Sequence, residues 1–241
     1  MGFACDSPPR NSASPDKETI RSFFEGIASR YDQVNSLLSL SIDESWRRRA
    51  ARLILEGRPA AQSILDLGVG TGKFLEKFLE RQSWQQTVGT DFAQGMLRRA
   101  QASLPSNCEF VQADIHDLPF KNTTFDLVVS SFTLRSVKDR KHFFSEVKRV
   151  LKNGGRAAFL CLTRPTSVGG RILYAPYLKF YLPFMGGLLA KSPAAYQFLS
   201  SSIQAFPPPH EIAQELTSSG FQSTSLTPFT FGISTLMMAD R

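Results

Sequence analysis

Cysteine is scarce in this 241-residue sequence, and the three present, Cys5, Cys108 and Cys161, are far apart and form no CxxC pair. That argues against a disulfide framework or a structural zinc site and favours a reducing compartment, the cytoplasm. Long apolar runs are also missing. The longest apolar region, Ile172 to Leu189, is broken by Pro176, Lys179 and Pro183, so a membrane-spanning helix is not expected. The first sixteen residues hold Ser, Pro, Asn, Asp and Arg without an apolar stretch, which reads as a loose tail rather than a secretory signal. No internal repeat is found. With 42% apolar residues the chain can bury one sizeable core, which excludes a disordered or fibrous protein. Its net charge of +7 leaves three partners open: nucleic acid, an anionic membrane surface or an acidic small molecule.

The N-terminal part reads as helical. Ser14 and Pro15 open one amphipathic helix, with Ile20, Phe23, Phe24, Ile27 and Tyr31 at helical spacing, and Asp43 caps another, with Trp46, Ala50, Leu53 and Ile54 on one face. Arg47, Arg48, Arg49 and Arg52 fall largely elsewhere, as a solvated face would. From Ser63 onward, short apolar runs at 64–67, 87–89, 110–111, 127–129 and 157–162 alternate with helical segments, predicting an α/β fold with a parallel, doubly wound sheet. Before the last of these, Phe143, Phe144, Val147, Val150 and Leu151 mark a helix that stops at Asn153, Gly154 and Gly155. An aromatic, proline-punctuated stretch at 174–206 fits no α/β unit and reads as a lid or substrate wall. Two final strands, 221–227 and 229–238, separated by Pro228, are close enough to pair as an antiparallel edge.

The chemistry concentrates after the first strands. Ile64-Leu65-Asp66-Leu67-Gly68-Val69-Gly70-Thr71-Gly72 sets a glycine-rich turn between a buried strand and a helix beginning near Lys73, where backbone approach is close and free amides can meet an anion. Such a turn alone is as compatible with a plain strand-to-helix connection as with a ligand site. Asp91, at the end of the next strand, stands about 20 residues beyond the glycines, where a carboxylate can accept both hydroxyls of a ribose. Lys73 occupies the place of the third glycine of a dinucleotide fingerprint, which argues against a nicotinamide cofactor. Asp114 follows the third strand, placed to take an adenine amino group while Ile115 and Phe92 supply apolar faces. Singly, each Asp is more often a cap or turn residue. Together, beyond the carboxyl ends of successive strands, they face one crevice.

That arrangement resembles the class I methyltransferases, which use S-adenosylmethionine and need no metal. The resemblance narrows to the ubiquinone/menaquinone C-methyltransferase family and covers nearly the whole chain from Phe23. The family signature YDxMNxx(aliphatic)SxxxHxxW appears as Tyr31 to Trp46, with Val34 for Met and Asp43 for His. RVLKPGG followed by (aliphatic)ExS appears as Arg149 to Gly155, with Asn153 for Pro, then Leu160 to Thr163, with Cys161 for Glu and Thr163 for Ser. Asp117-Leu118-Pro119-Phe120, Thr124-Phe125-Asp126 and the run Ser131 to Asp139 follow LPF, FD and SFGLRNVxD, with Thr133 for Gly and Ser136 for Asn. Further elements recur toward the C-terminus, among them Ser202-Ile203, Phe206-Pro207 and Phe231-Gly232-Ile233.

The resemblance implies a seven-stranded Rossmann-like sheet, mostly parallel with a C-terminal antiparallel hairpin, in a single domain over 16–241 behind a flexible tail at 1–15. Within it, 16–60 is a helical preface, 61–165 the cofactor-binding core, 166–210 the lid insertion and 211–241 the last strands. Cofactor contacts are expected at Asp66, Gly68, Gly70, Thr71, Gly72, Asp91, Phe92, Asp114, Ile115 and Ser131, the last from the resemblance alone. The family reaction methylates a ring carbon of a prenylated hydroquinone, such as demethylmenaquinol. Ring carbon is a weak nucleophile until a neighbouring phenol, pKa about 10, loses its proton. Arg135 is the first candidate to stabilise that phenolate, with any deprotonation running through an ordered water, and Tyr31 is the second. The bland readings are an ion pair of Arg135 with Asp139 and a half-buried core tyrosine. His116 lies nearest the crevice of the three histidines and reads as an ordinary loop residue. The aromatics of the insertion are expected to hold an isoprenoid tail, or merely to cap the sheet edge. A lipid-tailed substrate also implies transient contact with an anionic membrane, at its inner face, with Lys179 and Lys191 among the headgroups. A homodimer is compatible with the sequence. Alternatives are a benzoquinol, another lipophilic aromatic or terpenoid as acceptor, and, from another class, RNA binding or RNA methylation; no RNA-binding motif accompanies the charge.

Overall fold

In the computed structural model of the chain, residues 42–58, 60–165, 169, 170, 174 and 202–241 are described. The N-terminal tail, the first amphipathic helix with Tyr31, and the insertion with Tyr177, Lys179, Phe180, Tyr181, Phe184, Lys191, Tyr196 and Phe198 lie outside these residues.

Helix α1 (Ile42–Leu55) buries Trp46, Ala50, Ala51 and Ile54 on the face that the apolar spacing marks. Four parallel connections follow, with β1 (Ser63–Leu67), α2 (Lys73–Leu79), β2 (Gln86–Asp91), α3 (Gln94–Ser103), β3 (Glu109–Gln112), β4 (Phe125–Ser131), α4 (Arg140–Val150) and β5 (Leu151–Leu162). Helix α5 (Pro209–Ser218) leads to β6 (Thr224–Phe229) and β7 (Ser234–Asp240). The seven strands lie in the order β3-β2-β1-β4-β5-β7-β6. Only β7 runs antiparallel to its neighbours, β5 and β6, as expected for a mostly parallel sheet with a C-terminal hairpin.

Strand β1 is buried from end to end because helices cover both sheet faces. Side chains alternate between two cores: Leu65, Val128 and Phe159 pack with Phe143, Phe144 and Leu216 of α4 and α5, while Ile64, Leu127 and Leu160 pack with Ile54, Phe74 and Leu97 of α1, α2 and α3. At the amino ends of the strands, Asp126 fixes register. Its Oδ2 accepts from Ser63 N at 2.9 Å, Ser63 Oγ at 2.7 Å and Lys152 Nζ at 3.0 Å. Burial would raise its pKa, but the Ser63, Gln62 and Lys152 donors hold it below the usual carboxylate value.

Three boundaries differ from the sequence expectation. Helix α1 already includes Ile42, so Asp43 lies within its first turn rather than capping it. Helix α4 ends at Val150, and Asn153, Gly154 and Gly155 belong to β5, where the pairing with β4 shifts register between Phe125 and Leu127. A Cβ on Gly155 would lie 2.8 Å from Leu151 Cγ and 2.9 Å from the Asp126 carbonyl oxygen, so its glycine answers to a bulge rather than a helix stop. Pro228 lies inside β6 rather than between two strands. Among the described residues β6 is the sheet edge and pairs only with β7, so a residue without an N–H is tolerated there. The reversal instead falls at Thr230–Gly232, where Thr230 and Phe231 have φ of 45° and 58°.

Candidate active site

Strand β1 pairs with β2 on one side and β4 on the other. At that reversal of strand order, beyond the carboxyl ends, a cavity opens between the glycine turn, the ends of β2 to β4 and α1. Gly68, Gly70 and Thr71 line it, together with Asp91, Phe92, Asp114, Ile115 and Ser131. The structure thus gathers eight of the ten expected cofactor-site residues around one space.

Asp66 and Gly72 do not line it. Gly72 caps α2 at φ 90°, and a Cβ there would meet Leu104 Cδ1 at 2.7 Å, so it serves close packing of the turn on α3 and its C-cap. Asp66 lies behind the turn, 1% exposed, and neither carboxyl oxygen has a hydrogen-bond partner among the described residues. Burial and then the charge of Asp91 push its pKa well above the ordinary value; Arg47 acts in the opposite direction, as does the Leu75 amide, which stays outside hydrogen-bond geometry.

Asp91 locks the glycine turn. Its Oδ2 accepts from Gly70 N and its Oδ1 from Ala93 N, both at 2.9 Å, while Val69 N donates to Thr90 O at 2.8 Å. Its pKa is raised by burial, and the amides of Ala93, Gly70 and Phe92 limit the rise. Asp114 is more open. Its Oδ1 accepts from the backbone N of His116 at 3.0 Å and lies 2.8 Å from the ring Nδ1 of the same residue.

Several lining residues were not singled out from sequence. Arg47 is one: its side chain is 12% exposed, bonded to Asp43 Oδ2 at 2.5 Å, and its guanidinium lies 5.0 Å from the Phe132 ring centroid. It faces the cavity with Lys73, Phe74, Met96, Ala113, His116, Phe132, Thr133 and Ser136. Phe132 has φ of 61°, a costly conformation for an aromatic residue, held by its N–H on Leu160 O at 2.7 Å. The i, i+4 spacing of Asp43 and Arg47 recurs in Glu44–Arg48, whose arginine is exposed, so the spacing alone does not mark Arg47 as buried.

Arg135 lies in a 3-10 turn, Leu134–Ser136, just past β4. Thr133, which precedes the turn, and Ser136 line the cavity, but Arg135 itself is not among the lining residues and donates from Nη1 to Ser202 Oγ at 2.6 Å. Asp139, the alternative partner, caps α4 by accepting from His142 N at 3.0 Å. Cys161, which stands where the family signature has Glu, is 1% exposed, and burial pushes its thiol up to about 12 against the pull of Arg135. It is therefore a neutral group beside that guanidinium.

The model of the ubiE/COQ5 methyltransferase family matches residues 12–241. The chain belongs to that family. Among its relatives, a demethylmenaquinone methyltransferase of Thermus thermophilus is 38% identical over 221 residues, covering 90% of this chain and 99% of the relative. One of the same name from Bacteroides fragilis is 33% identical over 238 residues, covering 97% and 96%. Solved structures agree in fold. A methyltransferase of Thermotoga maritima described as a possible histamine N-methyltransferase has a TM-score of 0.66 at 17% identity over 92% of this chain and 99% of its own. Human N-acetylserotonin methyltransferase in complex with S-adenosylmethionine has 0.62 at 17%, over 94% and 60%. This ubiE/COQ5 family member is an S-adenosylmethionine-dependent methyltransferase.

Proposed function

We propose that the chain methylates a ring carbon of a prenylated hydroquinone, converting demethylmenaquinol to menaquinol. The observation that carries this reading is full-length similarity at 33–38% identity to demethylmenaquinone methyltransferases, and the cavity beyond the carboxyl ends of the strands supports it.

The described residues fit the cofactor. Gly70 has φ of 56° and open space where a side chain would stand, leaving room for a ligand against the turn. We assign the ribose hydroxyls to Asp91, the adenine amino group to Asp114, and the faces of the ring to Phe92, Met96 and Ile115. Arg47 is assigned to the cofactor's carboxylate, because its Nε is buried without a partner among the described residues.

The bound cofactor supplies a methyl group on a sulfonium, a leaving group that needs no further activation. The protein's tasks are alignment and exclusion of water. Phe74, Phe92, Ile115 and Phe132 provide apolar wall. The phenol proton leaves to water, the ring carbon bonds the methyl carbon as the carbon–sulfur bond breaks, and the ring carbon then loses its hydrogen as a proton. From one layer behind the lining, Arg135 acts on the phenolate through the field of its guanidinium rather than by contact, its position held by Ser202, and neutral Cys161 leaves that charge undiminished.

Such a substrate sits in a bilayer, and the same reading gives the enzyme a transient contact with an anionic membrane. Phe231 supports it: 78% exposed, it projects from the β6–β7 turn on the sheet end that holds the cavity, and Arg48 and Arg52 of adjoining α1 are exposed too. No helix among the described residues is long and apolar enough to cross a membrane.

The test is methylation of demethylmenaquinol in detergent with methyl-labelled cofactor, read by mass spectrometry of the quinone. Ring-carbon labelling that is lost in Arg135→Met is expected. Labelling of a benzoquinol but not the naphthoquinol would reassign the acceptor, and no labelling of either would overturn the reading.

A further inference from the structure

Arg149 lies in the last turn of α4, outside the cavity lining, and its guanidinium is fully engaged. All five N–H donors of the fork are used. Nε donates to Glu146 Oε1 at 2.7 Å and Nη2 to Glu146 Oε2 at 2.8 Å, a two-pronged pair within the helix. Nη1 donates to Phe120 O at 2.7 Å and Asn122 Oδ1 at 3.0 Å, and Nη2 also donates to Leu118 O at 2.8 Å. Glu146 in turn accepts from Leu118 N at 3.0 Å. Arg149 holds the Glu146 carboxyl below its ordinary value against the effect of burial, and the Leu118 amide adds to that pull. An ion pair with its arginine side chain 30% exposed contributes little stability by itself. This one fixes the plane of the fork, so that its outer nitrogens meet the chain at 118–122.

We infer that Arg149, held by Glu146, is a positioning residue for adenine recognition: it splints the segment between β3 and β4 so that Asp114 and Ile115 stand at the cavity. This rests on the assignment of Asp114 to adenine. Residues 113–124 belong to no helix or strand, so no ladder of backbone bonds sets their course. The segment is tied at its start, where Ala113 N donates to Asp91 O at 3.2 Å, and at its end, where Thr123 N and Thr124 N donate to Arg149 O and Val150 O at 2.9 and 2.8 Å. Between these ties Asp117 N donates to Asp114 O at 3.0 Å, closing a tight turn that carries Asp114 and Ile115. Leu118 is the next residue, and the Glu146–Arg149 pair grips both its N–H and its C=O. A displacement of Leu118 therefore passes through one turn to Asp114. Recognition groups must be held to within about 0.5 Å of their working geometry. Ordering them only at the moment of binding costs affinity, a cost that the splint removes in advance.

The experiment compares binding of S-adenosylhomocysteine and of its analogue with hydrogen in place of the 6-amino group, by calorimetry on wild type, Arg149→Met, Arg149→Lys and Asp114→Ala, with thermal unfolding of each. Arg149→Met should reduce the preference for the amino compound about three- to tenfold, the range expected for one side chain that must be ordered on binding. A weakened Ile115 contact falls on both compounds and leaves the preference unchanged. Arg149→Lys, with three donors where five are used, should lie between wild type and Arg149→Met. In turnover, KM for the cofactor should rise while kcat holds. A lower Tm with the wild-type preference intact would make Arg149 a stabilising residue only and overturn the proposal, while leaving Asp114 at adenine. If Arg149→Met does not fold, Arg149→Lys decides by the same criterion. A wild-type preference in Asp114→Ala would overturn the adenine assignment, and the splint's role with it.

Discussion

Replacing Gly68 by alanine should damage the site through two separable effects. Its backbone sits at φ +69°, which for a residue with a Cβ costs about 1–2 kcal/mol. The new methyl would also lie 2.4 Å from Thr133 Oγ1 and 2.8 Å from Thr133 Cγ2, overlaps that force neighbours to move at a further cost of about 1–3 kcal/mol. Together about 2–5 kcal/mol is lost, which for a domain of this size lowers Tm by roughly 4–20 °C. Thr133 stands where the family signature has glycine, so Thr133→Gly should relieve the steric share and leave the backbone share. Thermal unfolding of both single variants and the double variant gives the coupling energy directly, expected at about 1–3 kcal/mol. A double variant no more stable than the sum of the singles would refute the contact, and a Gly68→Ala protein that melts like wild type would refute the strain as well.

Asp66→Asn should make the cofactor-free protein more stable at neutral pH. A buried acid with a raised pKa contributes fully below its unfolded value near 4 and loses that contribution as pH rises through its folded value, so the Tm gap in favour of the variant should widen from pH 4 to 8; a constant gap would contradict this. Asp91→Asn sets an NH2 group against one of two amides that now donate to the carboxylate. It should weaken cofactor binding by about 1.5–3 kcal/mol, roughly ten- to hundredfold by calorimetry, and unchanged affinity would remove Asp91 from the ribose. Phe231→Gly releases a left-handed aromatic and should raise stability by about 1 kcal/mol while reducing sedimentation with phosphatidylglycerol vesicles. Vesicle binding equal to wild type would detach Phe231 from the membrane.

The parallel core was legible because strands covered on both faces are written as short apolar runs, and the glycine turn and Asp91 because residues just past the carboxyl ends of neighbouring strands converge on one cavity. The spacing also yielded Asp114 and Ile115. What it missed has physical reasons. Arg47 looked solvated because it sits in a run with Arg48 and Arg49, and only the fold shows that its helix leans over the cavity. Pro228 read as a breaker because nothing local distinguishes an edge strand from a central one. Asp66 shares a motif with the lining residues but points behind the turn, and Gly72 is spent on packing against Leu104. Phe132 carries no signal at all, since a left-handed aromatic is imposed by its surroundings.

The indole of Trp46 donates to Thr230 Oγ1 at 2.8 Å across 184 positions. Trp46 precedes Arg47 in α1, so one wall of the cavity is anchored by the turn between the last two strands. During synthesis the glycine turn, Asp91 and Asp114 are all made well before Thr230. A chain still emerging from the ribosome therefore holds Asp91 and Asp114 but lacks the Thr230 hydroxyl that anchors the helix of Arg47. Completion of the C-terminal hairpin supplies the last tie on that wall of the cavity.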